Sequence, residues 1–121
     1  MIGKLRSVVL DCQDPRKLAA FYAEVLGGEV SEEDDTWVVV TDPAGRRLAC
    51  QYSPRHQPPT FPDPSGSQQF HLDIQVGDAD TAQQQVLALG ATRVDGAVED
   101  GMFRVFRDPA GHPFCLVWGI D

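Results

Sequence analysis

The strongest constraint on the fold is a repeated turn sequence. Residues 42–45 read Asp-Pro-Ala-Gly, and the same four residues return at 108–111, 66 positions later. Apolar runs precede and follow both copies, so each copy is predicted to join two antiparallel strands. Proline presets the second turn position, the aspartate carboxylate accepts from turn amides, and glycine takes the positive φ that closes the turn. The sequence therefore predicts two β-hairpins of the same design.

The repeat continues upstream of each hairpin, at an offset of 63 residues. A Leu-Gly pair at 26–27 matches the pair at 89–90, and the apolar residues 8–10 match residues 71–73. Duplication over this length indicates two copies of one supersecondary unit rather than a chance match of four residues.

Helix signals lie between the matched segments. Asp14 followed by Pro15 predicts the start of a first helix, which is expected to end at Gly27. Asp78 or Asp80 is expected to cap a second helix. Each half is therefore predicted to run strand, helix, strand, strand, strand.

A proline-rich segment separates the two halves. Residues 53–67 contain five prolines and no regular apolar periodicity. Because proline lacks an N–H and restricts the residue before it, we expect a stiff connector between module 1 (about residues 1–52) and module 2 (about residues 68–121). The alternative is that His56 and Phe61 fold over a pocket as a lid.

The size and charge of the chain limit its function classes. The 121 residues are 42% hydrophobic, so residues 1–121 are expected to form a single domain. A net charge of −8 repels phosphate, so neither nucleic acid nor an anionic membrane is an expected partner. No apolar run approaches the length of a membrane span, and residues 1–6 lack a signal peptide, so we expect a cytoplasmic protein. Its three cysteines show no CxxC spacing and are expected to be reduced.

This duplicated order, with its paired hairpins and with His71-Leu72-Asp73 opening the second half, resembles the vicinal oxygen chelate superfamily. The superfamily includes glyoxalase I, extradiol dioxygenases, fosfomycin resistance proteins and bleomycin-binding proteins. Residues 10–15, 26–28 and 108–115 look like segments of its glyoxalase-like domains. The resemblance implies an α+β fold in which two βαβββ modules form a curled mixed sheet around a concave cavity, with the helices on the outer face. It also implies a homodimer.

The resemblance further implies where a divalent metal ion would bind in this chain. The matching positions are Val8, Ala49, His71 and Cys115. Val8 and Ala49 offer no donor atom, and Cys115 stands where the family pattern has Glu, although catalytic metal sites usually keep about three protein ligands. We therefore expect no cofactor and no standard metal site. If a divalent metal is bound, His71 and Cys115 are its expected ligands, with Asp73 as a third candidate.

The segment that opens the second half carries the candidate catalytic residues. Side chains alternate there, with Phe70, Leu72, Ile74 and Val76 on one face and His71, Asp73 and Gln75 on the other. The polar face meets either solvent or the cavity, and the resemblance favours the cavity. His71 and Asp73 are then placed to act as acid and base or to orient a polar ligand. The alternative is a structural histidine satisfied by Asp73.

Aromatic and polar residues spread over both halves are candidates for the walls of a ligand site. One face of each hairpin packs beneath a helix, and the other is open to a planar ligand. We expect the ligand-binding residues to be Trp37, Gln51, Tyr52, Arg104, Phe106 and Trp118.

Three functional interpretations follow. The one we favour is a glyoxalase-like protein that binds a small organic molecule in the concave cavity without the usual four-ligand metal site. The second is a lyase, isomerase or dioxygenase-type enzyme that uses His71 and Asp73, with or without a nonstandard divalent metal. The third is a structural dimer module whose pocket is filled by its own side chains.

Overall fold

The chain repeats one α+β module twice, as the duplicated sequence predicts. The computed structural model describes residues 1–66, 70–94 and 101–119. These residues form two units, Met1–His56 and Gln57–Asp121, and the boundary between them falls inside the predicted linker. Each unit contains the elements of one βαβββ module, which confirms the predicted fold class.

Unit 1 is a four-stranded sheet with one helix. Its elements are β1 (Val8–Cys12), α1 (Pro15–Leu26), β2 (Glu29–Asp34), β3 (Trp37–Thr41) and β4 (Arg47–Tyr52). The strand order is β1-β4-β3-β2, with β1 parallel to β4 and the other neighbours antiparallel.

Helix α1 begins and ends where its sequence signals lie. The Asp14 carboxylate accepts from the backbone N–H of Lys17 at 3.1 Å, and Pro15 occupies the first turn. Gly27 ends the helix at a φ of 65°, a left-handed conformation that glycine adopts without steric cost. The buried face includes Phe21 and Tyr22, whose rings meet edge to face at 4.9 Å.

Unit 2 repeats the same order and pairing. Its elements are β5 (Leu72–Gln75), α2 (Ala79–Ala88), β6 (Thr92–Arg93), β7 (Phe103–Arg107) and β8 (Pro113–Val117). The strand order is β5-β8-β7-β6, and β5 runs parallel to β8.

Helix α2 is capped by the first of the two candidate aspartates. The Asp78 carboxylate accepts from the N–H of Thr81 at 3.1 Å. Asp80 lies in the first turn instead, and its carboxylate is 2.9 Å from the guanidinium of Arg104 on β7.

The pairing of the parallel strands corrects the predicted offset upstream of the hairpins. Val8 pairs with Leu48 and Leu72 pairs with Phe114, so the first strands of the modules are related by 64 residues rather than 63. The capping aspartates, Asp14 and Asp78, are also 64 apart. The Leu-Gly match at the helix ends was misleading because α1 has 12 residues and α2 has 10.

The two repeated turns have the same hydrogen bonding. The Asp42 carboxylate accepts from the amides of Ala44 and Arg46 at 2.9 and 2.8 Å. The Asp108 carboxylate accepts from Ala110 and His112 at 2.9 and 3.0 Å. The closing glycines, at positions 45 and 111, have φ values of 89° and 90°. Each aspartate thus fixes its turn through two backbone amides.

We predict that Asp42→Asn destabilises the protein at pH 7 and has less effect in acid. The backbone hydrogen bond from Arg46 lowers the pKa of Asp42 below its ordinary value of 3.8. A lowered folded-state pKa contributes stability above the unfolded value and loses it as the pH falls through the folded value. The urea midpoints of the variant and the parent should therefore converge below pH 3.8. The control is Glu24→Gln, an exposed change on α1. A difference between the urea midpoints of Asp42→Asn and the parent that does not change with pH would contradict the argument.

Candidate functional site

The alternation predicted for the opening strand of the second half is present in β5. Asp73 and Gln75 are exposed on one face, and His71 precedes them on the same face, whereas Ile74 is buried on the other. The register places Asp73 beside Cys115 and Gln75 beside Val117. One sheet face of unit 2 therefore carries the residues singled out as catalytic and metal-binding candidates.

This face of β5, β8 and β7 forms the floor of a cavity of about 550 Å³. Residues outside these strands complete its wall, with Phe61 and Pro62 on one side and Met102 beside β7. A volume of this size falls in the range of sites that enclose a small organic ligand. The strand residues that line it are Asp73, Gln75, Phe103, Val105, Cys115 and Val117, with His71 just before β5.

A polar pair lies at the β5 edge of the cavity. The Nε2 atom of His71 is 3.1 Å from Oδ1 of Asp73, and the two side chains are 35% and 60% exposed. The Phe61 ring lies against the imidazole, with ring centroids 4.6 Å apart and planes tilted by 41°. His71 is thus held between an aromatic ring and a carboxylate, and it is accessible to a molecule in the cavity. Such a pair can orient a ligand hydroxyl or amine, or exchange a proton with it.

The two residues of the lid alternative belong to different units. Phe61 belongs to unit 2 and lines the cavity, as the lid interpretation expects of it. His56 belongs to unit 1 and is half-buried there.

The four-ligand metal pattern of the superfamily does not fit this chain. Val8 and Ala49 have no donor atom, and the corrected register makes Ser7, rather than Val8, the counterpart of His71. The Ser7 hydroxyl accepts from Arg47 at 3.2 Å within unit 1. A smaller donor set does exist, because the ligand atoms of His71, Asp73 and Cys115 all lie within 4.8 Å of one another. Imidazole, carboxylate and thiolate together suit a borderline divalent ion such as Zn²⁺.

Three of the predicted ligand-binding residues lie on the helix-covered face of unit 2. Arg104 contacts α2 through Asp80 at 2.9 Å and Gln83 at 3.1 Å, and its guanidinium lies 5.3 Å from the centre of the Trp118 ring. Phe106 is fully buried and stacks on Phe114 at 5.5 Å. Arg104, Phe106 and Trp118 therefore do not line the cavity of His71 and Asp73. On β7 the alternate residues, Phe103 and Val105, face the cavity instead.

The other three predicted ligand-binding residues belong to unit 1. Trp37 pairs with Gln51 across β3 and β4. Tyr52 lines a smaller cavity of about 270 Å³ beside the start of α1, which Arg16 also lines.

The acidic run at residues 32–35 is partly engaged in ion pairing near this smaller cavity. The Arg16 guanidinium is 2.9 Å from the Glu32 carboxylate and also pairs with Asp35. Both acidic groups raise the pKa of Arg16, with the Glu32 hydrogen bond as the larger cause. Because Arg16 is already paired with two carboxylates, it is poorly suited to bind an anionic ligand.

The sequence contained a signal for cavity residues that were not predicted. The second hairpin pairs Val105 with Cys115 and Phe103 with Val117. Assigning Cys115 to the cavity therefore assigns Val105 and Phe103 to it as well, because paired residues share a sheet face. Phe61 had a weaker signal, since only its place in the proline-rich segment suggested a lid.

A chain of two βαβββ modules with a ligand-sized cavity on a sheet face has the architecture of the vicinal oxygen chelate proteins. The profile of the glyoxalase-like domain family matches residues 7–117. The chain therefore belongs to this family, within the vicinal oxygen chelate superfamily. No curated protein matches the sequence.

Solved structures share the fold at low sequence identity. A fosfomycin resistance protein from Listeria monocytogenes has a TM-score of 0.73 at 20% identity, over 99% of this chain and 96% of its own. A glyoxalase/bleomycin resistance protein/dioxygenase family enzyme from Burkholderia phytofirmans PsJN also scores 0.73 at 20% identity, over 98% and 100%. A possible glyoxalase from Bacillus cereus scores 0.71 at 15% identity, over 97% and 99%. At these identities the likeness shows the fold alone. Among the described residues, neither helix has the length and apolar character needed to span a bilayer.

We predict that a small thiol reagent modifies Cys115 before the other two cysteines. All three are buried thiols outside any disulfide, but Cys115 lines the cavity, whereas Cys12 and Cys50 lie in the core of unit 1. Peptide mass spectrometry after brief treatment of the native protein with iodoacetamide measures the order. Val105→Leu is the matched variant, because a larger side chain beside Cys115 should slow its labelling selectively. Equal rates at all three cysteines would contradict access through the cavity.

Proposed function

We propose that this protein binds a small organic molecule in the cavity of unit 2, with His71 and Asp73 holding its polar edge. The observation that carries the proposal is the composition of the cavity wall. Its floor and sides are mainly apolar, from Phe61, Phe103 and Val105, and its polar groups are concentrated on β5 and the residue before it. Apolar walls with a few convergent polar groups are the usual design of small-molecule sites.

The charge of the wall limits the class of ligand. Asp73 is a carboxylate, and no Lys or Arg is among the described residues that line the cavity. Strand β7 contains two arginines, of which Arg104 is directed to Asp80 on the helix side and Arg107 donates to the backbone carbonyls of Pro59 and Gly111. An anionic ligand would therefore lose its hydration without gaining a charge partner, whereas an amine could pair with Asp73. The proposed ligand is neutral or cationic, with a flat or compact apolar body.

A second candidate function is enzymatic, and the donor cluster favours it. In this candidate, a lyase, isomerase or dioxygenase-type reaction uses His71 and Asp73 as acid and base. If a divalent metal is instead held by His71, Asp73 and Cys115, these residues are ligands rather than the acid and base, and the metal would supply a Lewis acid beside the ligand. The three donor atoms within 4.8 Å of one another are the specific observation that supports this candidate.

The family context supports two further parts of the proposal. We propose that the protein is a homodimer, as the resemblance implies, and that it acts in the cytoplasm, where its three cysteines, which form no disulfide, would stay reduced. Native mass spectrometry reports the subunit count and any bound metal in one spectrum.

We predict that the cavity prefers an amine to a carboxylate on the same skeleton. Naphthylmethylamine, naphthalenemethanol and naphthylacetate each carry their polar group on the same naphthylmethyl skeleton, so calorimetric titration isolates the effect of charge. The amine should bind about two- to fivefold more tightly than the carboxylate, because a partly exposed ion pair contributes about 0.5–1 kcal/mol. Asp73→Asn should remove this preference.

The matched control for that variant is Asp80→Asn. It removes the same charge from unit 2 but on the helix side, where Asp80 pairs with Arg104. It should leave the order of the three affinities unchanged. A carboxylate that binds as tightly as the amine would contradict the proposed ligand class, and binding of none of the three would favour the structural interpretation.

We predict that removing metal leaves the affinity for the amine unchanged. In the binding proposal, Asp73 and the apolar wall recognise the ligand without an ion. The affinity measured before and after treatment with EDTA and dialysis tests this directly. A loss of affinity that Zn²⁺ restores in the parent, but not in Cys115→Ala, would instead support the metal-dependent candidate.

A further inference from the structure

We infer that Arg107 is a positioning residue that holds Phe61 over His71 and thereby sets the width of the ligand cavity. Arg107 is the last residue of β7 and is not among the residues that line the cavity. It acts through the backbone of the segment that carries Phe61. The consequence for ligand affinity rests on the proposed function, whereas the positioning itself does not.

The guanidinium of Arg107 joins three backbone carbonyls. Nη1 donates to the carbonyl oxygens of Pro59 at 3.0 Å and Gly111 at 2.6 Å, and Nη2 lies 3.4 Å from that of Phe61. The guanidinium holds its five N–H groups in a fixed plane, so one side chain can span several acceptors at a defined separation. Arg107 therefore ties the segment before β5 to the turn between β7 and β8.

The composition of the segment explains why an arginine is needed. Pro58, Pro59 and Pro62 have no backbone N–H, so at these positions the chain can only accept hydrogen bonds. Strand pairing, which alternates donors and acceptors, is not available to such a segment. A side chain with several donors and no acceptor supplies what the proline-rich backbone lacks.

A close approach at Gly111 provides a second point of attachment. A Cβ atom at this position would lie 2.5 Å from Cγ of Pro58, closer than real contacts allow. Gly111 also has a φ of 90°, which a residue with a side chain rarely adopts. The second repeated turn thus has a role that its counterpart in unit 1 does not show, because it packs directly against the proline-rich segment.

These contacts determine where Phe61 lies. Its carbonyl oxygen is near Arg107, and its ring is 4.6 Å from the imidazole of His71. Pro62, the next residue, also lines the cavity. Without Arg107, the carbonyl oxygens of Pro59 and Phe61 would lose the guanidinium as a hydrogen-bond donor. The Phe61 ring would then no longer be held against the imidazole of His71.

The test is the position of the His71 ring resonances in the free protein. An aromatic ring at this distance shifts the imidazole signals, so Phe61→Ala should move them strongly in a proton–carbon correlation spectrum. Arg107→Ala should move them in the same direction, and the double variant should match Phe61→Ala alone. Arg107→Lys should resemble Arg107→Ala, because a single ammonium group does not reproduce the planar set of N–H donors of the guanidinium.

The matched control is Arg104→Ala, which removes an arginine from the same strand but from the helix-covered face. It should leave the His71 signals unchanged. Parent-like His71 signals in Arg107→Ala, or an additive shift in the double variant, would overturn the inference. Proton–nitrogen spectra establish that each variant is folded, and Arg107→Lys serves as the test if Arg107→Ala does not fold.

Ligand affinity provides the second measurement. Arg107→Ala and Phe61→Ala should each lower the affinity for naphthylmethylamine by about 3- to 10-fold, the range expected for loss of one aromatic contact. The double variant should bind it no more weakly than Phe61→Ala does. If the parent binds no probe while the His71 signals respond as described, the proposed function fails and the positioning role stands. If the probe binds but Arg107→Ala leaves the His71 signals unchanged, the positioning role fails and the proposed function stands.

Discussion

The cavity depends on strand register, and the register of the second hairpin depends on the carboxylate of Asp108. By accepting from the amides of Ala110 and His112, this carboxylate fixes the turn so that Arg107 pairs with Pro113. Two residues further along the ladder Val105 meets Cys115, and Cys115 in turn lies beside Asp73. A slip of one residue would move every side chain of a strand to the other face of the sheet. The apolar floor beneath the His71–Asp73 pair is therefore a consequence of turn geometry.

Most of the fold could be predicted from the sequence because its signals are local and occur twice. The Asp-Pro-Ala-Gly turns, the Asp14-Pro15 helix start and the Gly27 stop each specify backbone conformation through their own residues. The offset between the first strands could not be predicted in the same way. It depends on the length of each helix, and a two-residue match at the helix ends does not reveal that α2 is shorter than α1.

The site was predictable only in part, and the reason differs between its residues. His71 and Asp73 follow from simple alternation combined with a resemblance that favours the cavity. The phase of β7 did not follow, because Arg104 and Phe106 are as plausible in a ligand site as Phe103 and Val105. Which pair faces the cavity depends on contacts between residues distant in sequence, because Asp80 and Gln83 hold Arg104 on the helix side. Phe61 lies in a segment without periodicity, and its position depends on Arg107, 46 residues away.

The attachment of the proline-rich segment also bears on how such a protein can change over evolutionary time. The wall formed by Phe61 and Pro62 is joined to the sheet through carbonyl oxygens, which every residue type possesses. Side chains on this wall can therefore be exchanged without loss of the attachment and without any change in strand pairing. The side chains of the cavity floor cannot be exchanged in this way, because Cys115 and Val105 are buried and paired at the centre of the β7–β8 ladder. Selection for a new ligand would act most readily on residues 59–62, while the strands and the repeated turns preserve the scaffold.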